Sequence, residues 1–332
     1  MSGSRTLTDL GWSDFFADQC RPEEAGLAPQ RIATVHRARM GALSAAGPVR
    51  LVLPHRTNTG DYAVGDWVLV DPASALLHRR LARRTVLERR REGSPAPQLA
   101  AANVDALFIV TSCNADFNPT RLERYLALAN QGGAEPVIVL TKADVAEDPE
   151  RYRHEAEALQ RDLSVVTVNP REGEAATRLA PWCGPGRTVA VVGSSGVGKS
   201  TLVNTLAGPD QDAPQATGGI REHDAKGRHT TTARSLHAIA GGGWVIDTPG
   251  IRSLQLGDAA QGLDTLFAEI TELAPECRFR DCTHLHEPGC AVQAALADGR
   301  LDPERVARWR NLRAENAGNT AVATGPRGGR RR

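Results

Sequence analysis

Hydrophobic residues along this chain fall into three patterns, and each predicts a different kind of unit. Between residues 31 and 80 they come in short runs, at 31–35, 49–53, 66–70 and 75–79, broken by Gly, Pro, Asn and Asp. Such runs read as short strands joined by turns, an all-β unit. Farther on, 104–111, 136–140, 187–192 and 243–246 are apolar and rich in β-branched residues, as strands buried on both faces require. Helices expected near 121–131 and 202–207, with further strands near 164–169 and 234–240, make residues 100–257 a mostly parallel α/β sheet. Beyond residue 258 the pattern thins. Helices expected near 263–273 and 302–315 flank a cysteine-rich stretch with few large apolar residues.

Two short strings give the α/β region its chemistry. Gly193-Ser194-Ser195-Gly196-Val197-Gly198-Lys199-Ser200-Thr201 lies between an expected strand and an expected helix and fits G-x-x-x-x-G-K-[ST]. Its backbone N–H groups can cradle phosphate oxygens at the positive end of the helix, Lys199 can reach the β/γ-phosphates, and Ser200 can ligate Mg²⁺. Thr141-Lys142-Ala143-Asp144 follows another expected strand. Asp144 can accept from the N1–H and exocyclic amine of guanine, a donor pair adenine lacks, while Lys142 would lie along the ring and brace the phosphate loop. In ordinary GTPases the guanine element comes after the phosphate loop. Here it comes about fifty residues before, so the chain reads as a circularly permuted GTPase. Residues 164–169 occupy the place of a second guanine-contacting loop without matching it well enough to assign.

Asp247-Thr248-Pro249-Gly250 completes the set as a D-x-x-G element: Asp247 would hold Mg²⁺ through water and the Gly250 amide would bond the γ-phosphate. The next residue, Ile251, cannot orient water as a glutamine would. A threonine of Thr230-Thr231-Thr232 is expected to close over Mg²⁺. Spacing favours Thr231, with Thr230 the near alternative. The stretch 208–227 has no periodic pattern and reads as a switch loop. Only three of the forty basic residues are lysines, and two of them, Lys142 and Lys199, stand in the nucleotide motifs.

Cys277, Cys282, His284 and Cys290 form C-x4-C-x-H-x5-C, three sulfurs and an imidazole that make a closed set for structural Zn²⁺. His286 is a rival ligand. A disulfide would leave an odd cysteine. Cys20, Cys113 and Cys183 are scattered and read as ordinary thiols.

Charge changes the picture locally. The formal net charge is +1, yet residues 31–92 hold twelve arginines against five acids, while the first thirty residues are acidic. A basic, strand-rich unit with little aromatic stacking material fits an OB-like barrel whose arginines contact a polyanionic backbone. With no run of about eighteen apolar residues and no signal peptide, a cytoplasmic protein without a membrane partner is expected.

The strings TKAD, GSSGVGKST, GRHTTT, DTPG and CRFRDCTHLHEPGC together resemble the ribosome small-subunit-dependent GTPase family, RsgA, over nearly the whole chain. The resemblance implies GTP hydrolysis stimulated by the 30S subunit, late in that subunit's maturation, with 16S rRNA as partner. It also carries His229 over as the residue that positions the attacking water. The expected fold is multidomain, with five parts: an acidic N-terminal extension (1–30), an N-terminal OB-like β-barrel binding RNA (31–97, with 92–97 as linker), a central circularly permuted P-loop α/β GTPase domain (98–257), a small C-terminal zinc-binding domain with helices (258–318) and a basic tail (319–332). The chain is expected to act as a monomer. The resemblance does not explain the N-terminal extension or the tail, which look peculiar to this chain. Two other classes compete: a metabolic P-loop kinase, in which TKAD and DTPG would have no role, and a zinc-containing RNA-binding protein with a purely structural nucleotide site.

Overall fold

The computed structural model describes residues 5–89, 98–208, 235–247, 256 and 258–324. Five short strands come first: β1 (Ala28–Val35), β2 (Met40–Ser44), β3 (Gly47–Arg50), β4 (Trp67–Val70) and β5 (Leu77–Arg80). β1 pairs antiparallel with both β2 and β4, β2 pairs with β3, and β4 with β5. A parallel bridge between Val52 and Leu76 joins the chain after β3 to the chain before β5, so the pairings close on themselves. Inside lie Ile32, Met40, Ala42, Leu51, Val68, Val70 and Leu77, an apolar cluster of their own. Trp67 and Leu69, alternating with Val68 and Val70 on β4, point the other way into the main core, as the period of two in a strand dictates.

The residues before β1 are packed rather than extended away. A one-turn helix, α1 (Asp14–Ala17), buries Phe16, and Leu10 is buried beside it. Trp12 stands edge-on to Trp67, with ring centroids 4.8 Å apart. Gly11 lies against Gly186, where a Cβ would come within 2.7 Å of the Gly186 carbonyl oxygen. Arg31 rivets this junction. Fully buried, it donates to Leu10 O (2.7 Å), Thr188 Oγ1 (2.7 Å) and Asn103 O (3.3 Å). Burial lowers its pKa to about 10, which leaves it charged at neutral pH.

A two-stranded ladder, β6 (Val86–Arg89) with β7 (Gln98–Ala102), leads into the large sheet. The expected linker 92–97 lies outside the described residues. β8 (Ala106–Ser112), α2 (Pro119–Gly132), β9 (Glu135–Thr141), α3 (Pro149–Glu157), β10 (Ser164–Thr167), α4 (Glu174–Leu179), β11 (Thr188–Gly193), α5 (Lys199–Ala207), β12 (Ser235–Ala238) and β13 (Trp244–Asp247) follow in sequence. Their spatial order is β10-β9-β8-β11-β13-β12, with β12 antiparallel and the rest parallel. β11 is buried throughout: Ala190 and Val192 face one apolar layer, Val189 and Val191 the other. Chain order reverses between β8 and β11, where an open α/β sheet leaves its ligand crevice. The free edge of β12 meets β1 at Thr34↔Ser235, which joins the barrel strands to this sheet.

Helices α6 (Ala260–Leu266), α7 (Ala268–Thr271), α8 (Ala291–Ala297) and α9 (Pro303–Thr324) close the chain. α9 runs through residues 319–324, which sequence reasoning placed in the tail, while 325–332 lie outside the described residues. The apolar residues of this part (Val292, Ala295, Val306, Trp309 and Leu312) belong to the same cluster as Leu122, Tyr125 and Leu126 of α2. At that boundary Glu123 of α2, fully buried, accepts from Arg305 Nη1 and Arg308 Nε of α9, both at 2.8 Å. Among the described residues no helix is long and apolar enough to cross a membrane.

Candidate nucleotide and metal sites

The phosphate loop sits at the end of β11 because its glycines allow it to. Gly193 has φ 139°, and a Cβ there would lie 2.1 Å from Val110 O on the neighbouring strand. Gly196 is left-handed at φ 80°. After Gly198 the chain enters α5, so Lys199 and Ser200 occupy its first turn, where unpaired N–H groups suit phosphate oxygens. Lys199 Nζ donates to the carbonyl of Ser194 in the same loop.

Thr141, at the end of β9, is fully buried and donates from Oγ1 to Val197 O (2.8 Å). Thr141 thus ties the guanine element directly to the phosphate loop. Lys142 has left-handed backbone (φ 59°), which turns the chain into the 3₁₀ turn holding Ala143 and Asp144. Asp144 lines a cleft of about 190 Å³ together with Thr167, Val168, Asn169, Glu172 and Arg178. The stretch left unassigned from sequence therefore shares a cleft with Asp144. Parallel pairing of β10 with β9 puts it there. Thr205 of α5 donates to Pro170 O (2.5 Å), fastening this loop to the phosphate-loop helix.

Asp247 ends β13 and pairs in register with Val191, two residues before Gly193. The carboxylate of Asp247 and the hydroxyl of Ser200 thus stand at the same end of adjacent strands, the oxygen donor types Mg²⁺ takes. On β12, His237 Nε2 and Ser235 Oγ share a 2.6 Å hydrogen bond. Burial lowers the His237 pKa, and the charge of Asp247 opposes that shift. His229, Thr230, Thr231, Gly250 and Ile251, with most of the expected switch loop, lie outside the described residues.

Cys277, Cys282, His284 and Cys290 converge, their ligand atoms within 4.8 Å of one another. His284 Nδ1 is 3.5 Å from both Cys277 Sγ and Cys290 Sγ, and the two sulfurs are 3.9 Å apart. A tetrahedral ion with bonds of about 2.3 Å to sulfur and 2.0–2.1 Å to nitrogen sets such edges at roughly 3.8 and 3.5 Å. The donor set fits. The rival His286 is outside the group, and its backbone N–H donates to Glu287 (3.2 Å). Glu287 also accepts from the hydroxyl and amide (2.9 Å) of Thr283 and the amide of Leu285 (3.1 Å), which tie the turn carrying Cys282 and His284; the Thr283 hydroxyl, then its amide, hold the Glu287 carboxyl well below the usual range. Ala291 and Gln293 donate their amides to Cys277 and Cys290 sulfurs, both at 3.4 Å. Sequence reasoning missed Glu287, which no motif marks. The other three cysteines form no disulfide, and burial pushes Cys113 and Cys183 up to about 11 and about 12.

Residues 80–257 match the RsgA GTPase family. A Mesorhizobium japonicum protein described as small ribosomal subunit biogenesis GTPase RsgA is 70% identical over 98% of this chain and 94% of its own length. That span takes in most of the N-terminal segment, which is therefore not peculiar to this chain. Among solved structures, YjeQ from Thermotoga maritima aligns with TM-score 0.64 at 23% identity, covering 88% of this chain and 99% of that one. YloQ, described as a circularly permuted GTPase, aligns with TM-score 0.64 at 24% identity, covering 93% and 99%. At that identity the likeness speaks for the fold, and the fold is that of the permuted GTPases.

Proposed function

Because the chain belongs to the RsgA GTPase family, we propose that it hydrolyses GTP to GDP and phosphate during late maturation of the small ribosomal subunit, stimulated by that subunit. The observation that carries this reading is the convergence of Thr141–Asp144, the loop 193–201 and Asp247 on one end of the sheet, at the reversal between β8 and β11. In this reading Asp144 selects guanine, and the amides of 193–201 with Lys199 bind the phosphates. Ser200, Asp247 and Thr231 would hold Mg²⁺, which neutralises charge between the β- and γ-phosphates when bound. The Gly250 amide bonds the γ-phosphate. His229 orients the attacking water or takes its proton, a contribution of about 10²–10⁴-fold in rate, since Ile251 has no polar group to do so.

The closed ring of β1–β5 supports an OB-like barrel as the RNA-binding unit. Arg37, Arg39, Arg50 and Arg56 are exposed on it, and arginine contacts to phosphates of 16S rRNA fit that surface. Zn²⁺ is the ion the Cys₃His set suits, as a closed structural site. The remaining assignments are a monomer in the cytoplasm and the boundaries 1–30, 31–97, 98–257, 258–318 and 319–332, the last starting inside α9.

GTP turnover with and without purified small subunits tests the proposal. Stimulation is expected, and its absence at saturating subunit would overturn the ribosomal reading. Asp144→Asn is expected to weaken GTP binding by roughly 2–4 kcal/mol and to improve xanthosine triphosphate binding, because it loses paired, charge-assisted bonds. Unchanged GTP affinity would remove Asp144 from the site.

A further inference from the structure

α9 touches three places that no single motif connects. Near its start Arg305 and Arg308 hold Glu123 on α2. One turn later the Trp309 ring lies against that of the metal-cluster residue His284, 5.5 Å between centroids, and Arg310 donates to the His284 carbonyl. Toward its end, four side chains on one face grip the chain downstream of Asp247. Glu315 accepts from Leu256 N (3.2 Å), Asn316 from Ala259 N (2.9 Å) and Thr320 from Asp258 N (3.0 Å), while Asn319 donates to Leu256 O (2.5 Å). Arg124 of α2 holds the Glu315 carboxylate at 2.8 Å.

The grip lies at the entry to α6. α6 begins at Ala260 with Ala259 in the capping position, and alanine has no side-chain oxygen to offer the helix's first amides. Gln131 of α2 accepts from one of those amides, Gly262 N (2.9 Å), while Asn316 and Thr320 hold the two amides just before the helix, Ala259 and Asp258. Asp247 at the end of β13 and Leu256 under α9 are therefore two fixed points on the chain, and the second depends on a helix that also rests on the metal cluster.

We propose that α9 couples occupancy of the Cys277/Cys282/His284/Cys290 cluster to the γ-phosphate side of the nucleotide site, by anchoring the backbone at Leu256, Asp258 and Ala259. This rests on the reading of Asp247–Gly250 as the γ-phosphate element. Coupled sites influence one another reciprocally, commonly by about 5- to 150-fold in affinity. Loosening α9 lowers the preference for triphosphate over diphosphate and leaves the purine and β-phosphate contacts as they are.

The test uses the full metal-loaded chain and fluorescent GDP and non-hydrolysable GTP analogues. Asn316→Ala with Thr320→Ala is expected to weaken the triphosphate analogue roughly tenfold, in the lower part of that range, with GDP affinity within about twofold and metal content unchanged. Asn316→Asp, which keeps the acceptor, is expected to behave as wild type. Chelating the metal from the wild-type chain is expected to reproduce the loss and to add nothing to the double variant. An unchanged triphosphate-to-diphosphate ratio in the double variant would overturn the coupling, as would chelation costing that variant as much as wild type. Should the double variant lose its metal, Asn316→Ala alone carries the same comparison. A wild-type chain that binds no guanine nucleotide would instead refute the functional reading on which the coupling rests.

Discussion

The barrel strands and the C-terminal helices are both joined to the nucleotide-binding sheet, by opposite means. β1–β5 enclose an apolar cluster of their own and meet the sheet through the strand pair Thr34↔Ser235, the buried Arg31 and one layer, Trp67 and Leu69 of β4, that enters the main core. The C-terminal part has no comparable interior. Its Val306, Trp309 and Leu312 complete a cluster begun by α2, and a buried carboxylate shared by two arginines crosses the boundary. A unit with a core of its own keeps that interior covered when it shifts, and uncovers only the layer it shares. A unit whose core is shared cannot do so, because separating it uncovers both faces at about 25 cal/mol per Å² of apolar area. A nucleotide-dependent swing of the whole metal-binding unit, which chain order alone suggests, is therefore disfavoured. Local rearrangement between fixed points is the cheaper motion.

The sharpest way to break this contrast is Glu123→Ala. It leaves Arg305 and Arg308 facing a buried site without their carboxylate, and removing one partner of a buried pair costs about 3–5 kcal/mol. If the core is shared, urea unfolding should lose that amount in a single transition reporting both nucleotide-binding and C-terminal residues. Two separate transitions, or a loss below about 1 kcal/mol, would mean that the C-terminal part stands alone.

Arg31→Met probes the other junction. Three hydrogen bonds to neutral oxygens disappear, with an expected cost of about 1–3 kcal/mol from the acceptors left buried. Hydrogen exchange should quicken in residues 5–35, with β9, β11 and guanine-nucleotide affinity unaffected. Loss of protection in β11 of the same size would show the barrel to be as tightly welded as α9.

The smallest effect concerns acid. Arg79 on β5 hydrogen-bonds Glu24 (2.5 Å), and with the Arg21 amide it lowers the Glu24 pKa from 4.5 to about 2. A depressed folded-state pKa stabilises above the ordinary value and loses that contribution as pH falls toward the depressed one. Packing of residues 5–27 on the barrel should therefore weaken between about pH 4.5 and 2, seen in tryptophan fluorescence from Trp12 and Trp67. Glu24→Gln should remove most of that dependence and leave the transition of the shared core where it was.

Legibility in the sequence followed the range of the interaction. Strands β8, β9, β11 and β13 were readable because burial on both faces forces continuous apolar runs. α3 was not. Its exposed side chains are charged and held by ion pairs such as Arg151–Glu155 and Arg153–Glu150, so no apolar stripe marks it. β6 and β7 are four and five residues long, too short to announce themselves. The Cys₃His set could be read from spacing, yet Glu287, which ties its turn, carried no recognisable pattern.

By itself, then, the sequence determined the features whose geometry is set within a few residues: the glycines that let 193–201 curl, the ligand spacing from Cys277 to Cys290, and the order of guanine element and phosphate loop. Tertiary structure alone decided which distant groups meet. Thr141 and Val197 are 56 residues apart, Ala259 and Asn316 are 57, and Glu123 and Arg305 are 182. Each contact joins residue types common on any surface, and what selects them is packing: a buried polar group has to find its partner wherever the fold brings one within reach.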